Sequence, residues 1–260
     1  MKLDTVLTAP EKIATIDIGN SRLKILFRND FKTFSLSGDW ETEFFNYFFY
    51  IKNKPQAAGI ASVNERVKEL AIEILNKIDI YYIELAGLIE EQKLINCCDI
   101  KGMGQDRILG LIGGTEFIAP PLITVDCGTA VTINLLDSDF ICCGGVIFPG
   151  PYTQLNALSQ NTAGLKEVEF KTSNIISAKN TSEAIGNGII YGIAGGIKEI
   201  IRLMIIRNLN KLTVPVILTG GGAKMIMPAL DELNFTYLYK EDIVLRGILK
   251  LLERQYNSNF

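Results

Sequence analysis

The segment TIDIGNS at residues 15–21 recurs in altered form as TVDCGTA at residues 124–130. Both read threonine, a β-branched residue, aspartate, a variable residue, glycine and two small or polar residues. Apolar-rich runs suited to strands follow each segment, at residues 23–27, 31–36, 131–136 and 140–147. Each trio of strands predicts a meander with tight turns. We interpret the chain as two copies of one β-rich unit.

Helices and strands are predicted to alternate after each meander, by the spacing of apolar residues. The first half predicts helices at 40–51, 65–78 and 105–117, and strands at 57–63 and 80–85. The second half predicts a long helix within 181–209, a strand at 214–218, a helix at 223–233, a short strand at 235–238 and a helix at 242–256. This order predicts an α/β fold in which a mixed sheet flanked by helices is built twice. The prolines at 120 and 121 favour a boundary that gives domains 1–119 and 120–260.

Composition excludes several classes of function. The 260 residues include no histidine, so Ser-His-Asp catalysis and zinc sites that need imidazole are ruled out. The net charge of −3, with no dense Lys/Arg stretch, argues against a nucleic-acid partner. The five cysteines are odd in number and lack CxxC spacing, which favours reduced thiols in the cytoplasm. No apolar run reaches the roughly 20 residues that span a bilayer, so we expect no membrane association.

The first acidic hairpin has the residues of a phosphate loop. Asp17 ends an apolar strand, and Gly19 opens a turn in which backbone N–H groups can approach a ligand. Asn20 and Ser21 add short polar side chains, and Lys24 adds a cation. The aspartate could hold Mg²⁺ or its water shell. The alternative is a plain β-turn with ordinary turn chemistry, and the second copy around Asp126 favours the functional interpretation.

Glycine clusters mark further candidate positions. Gly220–Gly222 follow a predicted strand and open a helix, where a phosphate or adenosine group is favoured, although a tight strand-to-helix turn explains them equally well. Gly188, Gly192 and Gly196 share one face of the long predicted helix. We hypothesise that this face packs closely against the other domain or a second subunit.

Six stretches, taken together and in order, resemble type III pantothenate kinases, within the acetate and sugar kinase, Hsp70 and actin superfamily. They are DIGNS at 17–21 with Lys24, GQDR at 104–107, VDCGTA at 125–130, GVIFPG at 145–150, NT at 180–181 and TGG at 219–221. The resemblance implies two ribonuclease H-like (actin-like ATPase) domains. It also implies phosphorylation of pantothenate by ATP, which opens coenzyme A biosynthesis, and a homodimer.

The resemblance implies a role for each matched position. The first ATP loop would comprise Asp17, Ile18, Gly19, Asn20, Ser21, Arg22, Leu23 and Lys24, and Thr129 would also contact ATP. Asp106 would be the general base. Pantothenate would be bound by Gly104, Gln105, Asp106, Arg107 and Thr181, with Arg107 pairing to its carboxylate. Asp126 would bind a monovalent cation, K⁺ or NH₄⁺, while Mg²⁺ would accompany ATP.

Two departures from the family pattern keep other functions open. Cys97 follows Asn96 where the family usually has a tyrosine, and Asn134 stands where it usually has an aspartate. Both changes bear on whether the enzyme is fully active. The alternatives are a non-catalytic regulator or transcription accessory protein on the same fold, and a kinase or phosphatase of the superfamily with another small-molecule substrate.

Overall fold

A computed structural model describes residues 10–165, 169–173, 175–209 and 213–257. Within this part, the strands are β1 (Ile13–Ile18), β2 (Arg22–Phe27), β3 (Asp30–Ser35), β4 (Ala57–Ser62), β5 (Tyr81–Glu84), β6 (Leu122–Cys127), β7 (Ala130–Leu136), β8 (Cys142–Pro149), β9 (Val216–Thr219) and β10 (Leu238–Tyr239). The helices are α1 (Trp40–Tyr50), α2 (Glu65–Lys77), α3 (Ala86–Glu91), α4 (Gln105–Gly114), α5 (Pro151–Asn161), α6 (Thr181–Met204), α7 (Ala223–Glu232) and α8 (Ile243–Asn257). Short 3₁₀ turns lie at Pro10–Lys12 and Ala163–Leu165, and a π-helical turn at Ile205–Leu209 extends α6. None of the described helices is long and apolar enough to cross a membrane.

The chain separates into two units. The first contains residues 10–120, 140–142 and 242–257, and the second contains residues 121–139 and 143–241, within the described part. The domain bounds 1–119 and 120–260 remain a prediction. The structure adds that α8, from the end of the chain, belongs to the first unit.

The first unit is built on a sheet with strand order β3-β2-β1-β4-β5. β1 is antiparallel to β2 and parallel to β4, which is in turn parallel to β5. All six residues of β1 are buried, as expected for a central strand covered on both faces. The aromatic side chains of α1, including Phe44 and Phe48, pack in one apolar cluster with β1, β2 and α2. This cluster anchors the strand that carries Asp17.

Helices α4 and α8 approach each other backbone to backbone. A Cβ added at Gly113 of α4 would lie 1.7 Å from the carbonyl oxygen of Ile243, and one at Gly247 of α8 would lie 2.0 Å from the carbonyl oxygen of Leu109. Only glycine fits both places, because real Cβ atoms do not come this near to a backbone oxygen. Since α8 also packs on β1, β2 and β4, these glycines fix the position of α4 in the first unit.

The second unit repeats the first in strand order. Its sheet runs β8-β7-β6-β9-β10, so that β6 corresponds to β1, β7 to β2 and β9 to β4. β6 is antiparallel to β7 and parallel to β9, as β1 is to β2 and β4. The apolar core joins this sheet to α6 and α7. The predicted fold class, an α/β fold with two mixed sheets flanked by helices, is confirmed.

Two helices were missing from the sequence-based prediction. In α3 only Ile89 is buried, and in α5 only Pro151 is buried. Neither helix therefore has the stripe of buried apolar residues by which a helix is predicted from the sequence. The start of α5 does carry a recognisable pattern, because proline follows Gly150 at the first helical position.

The predicted close contact along α6 involves a different glycine. Within the described residues, a Cβ added at Gly188, Gly192 or Gly196 would meet no atom within 4 Å, so no close packing of this face occurs there. At Gly186, by contrast, an added Cβ would lie 1.8 Å from the carbonyl oxygen of Lys171. The packing of Gly188, Gly192 and Gly196 against a second subunit stays a prediction.

We expect Gly113→Ala to lower the free energy of unfolding by about 2 kcal/mol or more, because the added methyl group would collide with backbone that side-chain rotation cannot move. The matched control is Gly110→Ala on the same helix, where a Cβ meets only side-chain atoms at 3.8 Å or beyond. There the helix-forming preference of alanine is expected to add up to about 1 kcal/mol. Denaturant unfolding followed by circular dichroism measures both, and equal effects of the two substitutions would contradict the backbone contact.

Candidate active site

The first acidic hairpin places a carboxylate and an ammonium group side by side. Asp17 of β1 lies opposite Lys24 of β2 in the strand register, and the Lys24 Nζ is 3.2 Å from the Asp17 Oδ2. Asp17 is buried, with 8% of its surface exposed. A buried carboxylate needs such a partner, because leaving it unpaired would carry a large desolvation penalty. The pair thus keeps a charged group at the end of the central strand.

The predicted loop residues divide into a structural and an accessible set. Ile18 and Leu23 are fully buried, so their side chains hold the hairpin in the core. The turn is closed by the N–H of Gly19, which donates to the Arg22 carbonyl oxygen over 2.9 Å. The side chains of Asn20, Ser21 and Arg22 are exposed. Any ligand of this hairpin would therefore be contacted by the turn and not by the apolar positions.

Asp106 lies in the first turn of α4, with Gly104 as the N-cap residue. A Cβ at Gly104 would be 2.5 Å from the Asp106 Oδ1, so only glycine lets the carboxylate lie over the cap. The backbone N–H of Arg107 donates to this carboxylate. Gln105 and Arg107 flank it and are partly exposed.

Burial raises the pKa of Asp106 above its ordinary value of 3.8. The negative charge of Asp17 raises it further, while the N–H of Arg107 and the Arg107 guanidinium act in the opposite direction. The structure thus brings Asp17 and Asp106 close enough to interact through their charges within the first unit. A carboxylate with a raised pKa and a charged neighbour is typical of functional sites.

The second acidic hairpin is one residue shorter than the first. Asp126 of β6 lies opposite Thr132 of β7, six positions along the chain, whereas Asp17 and Lys24 are seven apart. The N–H of Gly128 donates to the carbonyl oxygen of Ala130 over 2.9 Å and closes the turn. The register position of Lys24 is thus taken by a hydroxyl group, and the two hairpins differ in charge.

Two helices of the second unit begin against this hairpin. The carbonyl oxygen of Thr129 accepts hydrogen bonds from the N–H of Gly150, at 2.9 Å, and from the Oγ1 of Thr153, at 2.6 Å. The carbonyl oxygen of Cys127 accepts the N–H of Gly222, at 2.7 Å, immediately before α7. The N-termini of α5 and α7 favour anions by their helix dipoles. Sequence reasoning missed Thr153, because α5 itself was not predicted.

Gly220 packs directly against two hard oxygen donors, where a side chain would not fit. Its φ is +97°, and a Cβ there would lie 2.3 Å from the Asp126 Oδ1 and 2.5 Å from the Cys127 carbonyl oxygen. Carboxylate and carbonyl oxygens are ligands suited to hard cations. The donors present at Asp126 therefore fit a bound cation of the kind expected from the sequence.

The remaining predicted site residues lie on other elements. Thr181 begins α6, where the Asn180 Oδ1 accepts the N–H of Glu183 over 3.0 Å and caps the helix. Asn134 is buried at 2% exposure in β7, opposite Thr124, and its amide donates to the Thr132 Oγ1 over 3.4 Å. Asn134 thus supports the hairpin strand from within the sheet.

Solved structures with the same fold include a transcriptional activator, an activator with a bound nucleotide analogue and an actin homologue. This chain is similar to a Campylobacter jejuni protein of the Baf family, which is named for a role as transcriptional activator (TM-score 0.59, 22% identity, 95% of this chain and 100% of that chain). It is also similar to the activator of the 2-hydroxyisocaproyl-CoA dehydratase from Clostridium difficile, which was solved with bound ADPNP (TM-score 0.54, 12% identity, 95% and 96% covered). An archaeal actin homologue matches with a TM-score of 0.52 at 13% identity, over 93% and 99% of the chains. The fold is that of the actin-like ATPases.

Sequence comparison identifies the family. The sequence profile of type III pantothenate kinase matches residues 13–203. A type III pantothenate kinase from Sulfurihydrogenibium sp. (strain YO3AOP1) is 29% identical over 250 residues, which cover 91% of this chain and 97% of that protein. The match contains both acidic hairpins, Asp106 and Thr181. The chain belongs to the type III pantothenate kinase family.

Proposed function

We propose that this chain transfers the γ-phosphoryl group of ATP to the primary hydroxyl of pantothenate, with Asp106 as the general base. The products are ADP and 4′-phosphopantothenate, and the reaction is the first step of coenzyme A biosynthesis. The assignment of Asp106 rests on its raised pKa and on the interaction of its charge with Asp17 of the Asp17–Lys24 hairpin. Membership of the family supplies the reaction.

Asp106 is suited to accept the hydroxyl proton of the acceptor. Phosphoryl transfer requires mainly positioning and charge neutralisation, and a carboxylate can take the proton as the new P–O bond forms. A raised pKa brings the base nearer to the working pH, where proton acceptance becomes more favourable. The N–H of Arg107 offsets part of this rise in the pKa by stabilising the ionised carboxylate.

The Asp17–Lys24 hairpin is assigned to the phosphates of ATP. The turn at Gly19 to Arg22 offers backbone donors and exposed polar side chains, and Lys24 offers a positive charge. Mg²⁺ bound with ATP would neutralise the developing phosphate charge, and Asp17 is the carboxylate placed to hold it or its water shell. Lys24 would then be able to pair with either the Asp17 carboxylate or the phosphate oxygens.

In the second unit, Thr129 and the adjoining helix N-termini are assigned to ATP as well. Thr129 is held by Gly150 and Thr153 at the start of α5. Asp126 and the Cys127 carbonyl oxygen are assigned to a monovalent cation, K⁺ or NH₄⁺, because both are hard oxygen donors that lie next to Gly220.

Pantothenate recognition is assigned to residues Gly104–Arg107 and to Thr181. The planar guanidinium of Arg107 can bind both oxygens of the pantothenate carboxylate. Near this segment, Cys97 replaces the tyrosine usual in the family. We therefore expect a weakened affinity for pantothenate and an unchanged chemical step.

The proposal includes the oligomeric state and the cellular location of the enzyme. A homodimer is assigned from the family, and Gly188 and Gly192 lie exposed on α6, where a second subunit could approach. None of the described cysteines forms a disulfide. Free thiols and the use of ATP favour the cytoplasm.

A regulatory role without turnover is the second candidate. The Campylobacter jejuni relative is named for transcriptional activation, and it matches this chain over 95% of its length. Such a role predicts ATP binding without phosphorylation of any acceptor. A kinase for another acceptor alcohol is the third candidate, favoured by Cys97 in the acceptor region.

The direct test is ADP release measured in a coupled assay with and without pantothenate. We expect pantothenate-dependent ADP formation by the wild-type chain, and a fall of about 10³-fold or more in kcat for Asp106→Asn, because the substitution removes the proton acceptor. Asp99→Asn, a change at an exposed aspartate seven residues away, is the matched control and should keep full activity.

The same assay separates the other candidates. ATP binding with no ADP release for any acceptor would contradict the kinase assignment and support the regulatory one. ADP release that responds to another alcohol and not to pantothenate would contradict the acceptor. Wild-type turnover by Asp106→Asn would remove Asp106 from the mechanism.

Asp106→Asn is expected to be more stable than the wild type at pH 7. In the wild type the raised pKa means that the folded chain holds this proton more tightly than the unfolded chain, so the unfolding free energy falls as the pH rises from 3.8 through the raised pKa. For each pH unit between the pKa of Asp106 in the unfolded chain and its raised pKa in the folded chain, the unfolding free energy falls by about 1.4 kcal/mol. Asparagine avoids this loss because it does not ionise. Melting temperatures between pH 3.5 and about pH 8 test this: the advantage should be absent at the acid end, and a variant less stable at pH 7 would contradict it.

Asp126→Asn is expected to abolish the difference between K⁺ and Na⁺ in the ADP-release assay, because the neutral amide binds a cation more weakly than the carboxylate. The wild type should turn over faster in K⁺ buffer. Asp139→Asn, at an exposed loop position, is the control and should keep the K⁺ response. A full K⁺ response in Asp126→Asn would place the cation elsewhere.

A further inference from the structure

Two sulfur atoms approach the thiol of Cys142 in the first unit, beside the segment assigned to pantothenate. The thiol of Cys97 is in hydrogen-bonding contact with the thiol of Cys142. The Cys142 Sγ is 3.7 Å from the Met103 Sδ. We call Cys97, Met103 and Cys142 the sulfur cluster.

The backbone holds two of these sulfurs in place. Asn96 and Ile141 form an isolated parallel β-bridge, in which the N–H of Asn96 donates to the Phe140 carbonyl oxygen and the N–H of Cys142 donates to the Asn96 carbonyl oxygen, each over 2.8 Å. The next residues along the two segments are Cys97 and Cys142, whose side chains therefore lie on the same side of the bridge. The backbone pairing therefore places the two cysteines side by side.

The third sulfur comes from the segment that leads into α4. Met103 directly precedes Gly104, the N-cap of that helix. Cys142 is buried at 3% exposure, while Cys97 and Met103 are partly exposed. The cluster thus has a closed inner end and an outer end that solvent species can reach.

The spacing and chemistry of the cluster suit a soft metal ion. Three sulfurs that surround one ion at about 2.3 Å, the length of a zinc–thiolate bond, lie about 4 Å apart in a trigonal arrangement. The observed 3.7 Å between Cys142 and Met103 is close to this value. Two thiols and a thioether are soft ligands, which select Cu(I) over harder ions.

We propose that Cys97, Met103 and Cys142 form a binding site for a monovalent thiophilic metal ion of the Cu(I) class. Binding would displace the protons of the two thiols, so the affinity rises with pH. Met103, as a ligand next to Gly104, would tie the occupancy of the site to the segment that carries Asp106. The test of this site does not depend on the proposed kinase reaction, because it measures metal binding alone.

The test is a titration of the whole reduced chain with Cu(I), without oxygen, against the chromogenic Cu(I) chelator bicinchoninate. We expect the chain to withdraw one equivalent from the chelator and to develop an ultraviolet copper–sulfur band. Cys97→Ser should weaken binding by about 100-fold and Met103→Leu by about 10-fold, since each removes one ligand. X-ray absorption should show three sulfur neighbours at about 2.3 Å.

The matched controls are Cys98→Ser, at the exposed neighbour of Cys97, and Cys143→Ser, at the neighbour of Cys142. Both should bind Cu(I) as the wild type does. The proposal is overturned if the chelator keeps all the copper, or if Cys98→Ser weakens binding as much as Cys97→Ser. An unchanged affinity in Met103→Leu would also overturn it, because two thiols without the thioether would then explain the binding.

Discussion

Close approach of backbone at glycine positions is the constraint on which the site depends. Gly113 and Gly247 let α4 lie directly against α8, and Gly104 lets the Asp106 carboxylate fold over the start of α4. In the second unit, Gly150 and Gly220 bring a helix start and a strand end against the hairpin of Asp126. A methyl group at any of these positions would meet backbone or carboxylate oxygen at 2.5 Å or less. The carboxylates of the candidate site are therefore positioned by the absence of a Cβ at these glycines as much as by contacts.

Charge distinguishes the two copies of the hairpin. The first pairs a buried carboxylate with Lys24, and the second has Thr132 at the same register position. The duplication thus conserves a strand-end aspartate and a glycine turn, while the partner changes from a cation to a hydroxyl. The two hairpins therefore carry different charge at the same register position, which accords with the different ligands proposed for them.

Burial of Asp106 raises its pKa at the expense of stability. Its environment destabilises the ionised form through burial and through the charge of Asp17, and only part of this is offset by Arg107. A base of this kind is stronger than a solvated aspartate. Two members of the sulfur cluster, Cys97 and Met103, lie in the segment just before Asp106, where Cys97 stands in place of the tyrosine usual in the family.

The sequence by itself determined the duplicated strand order, the two acidic hairpins and the candidate base, because strand alternation, helical spacing and turn residues are local patterns. It also determined the family, since six short motifs in order are specific together. Tertiary structure decided what local patterns cannot encode. It placed α8 in the first unit and the start of α5 next to Thr129. It also made Gly186, and not Gly188, the position of close packing on α6. It likewise decided the approach of Asp17 to Asp106 and of Cys97 to Cys142, since these pairs are far apart in the chain and meet only when sheets and helices pack.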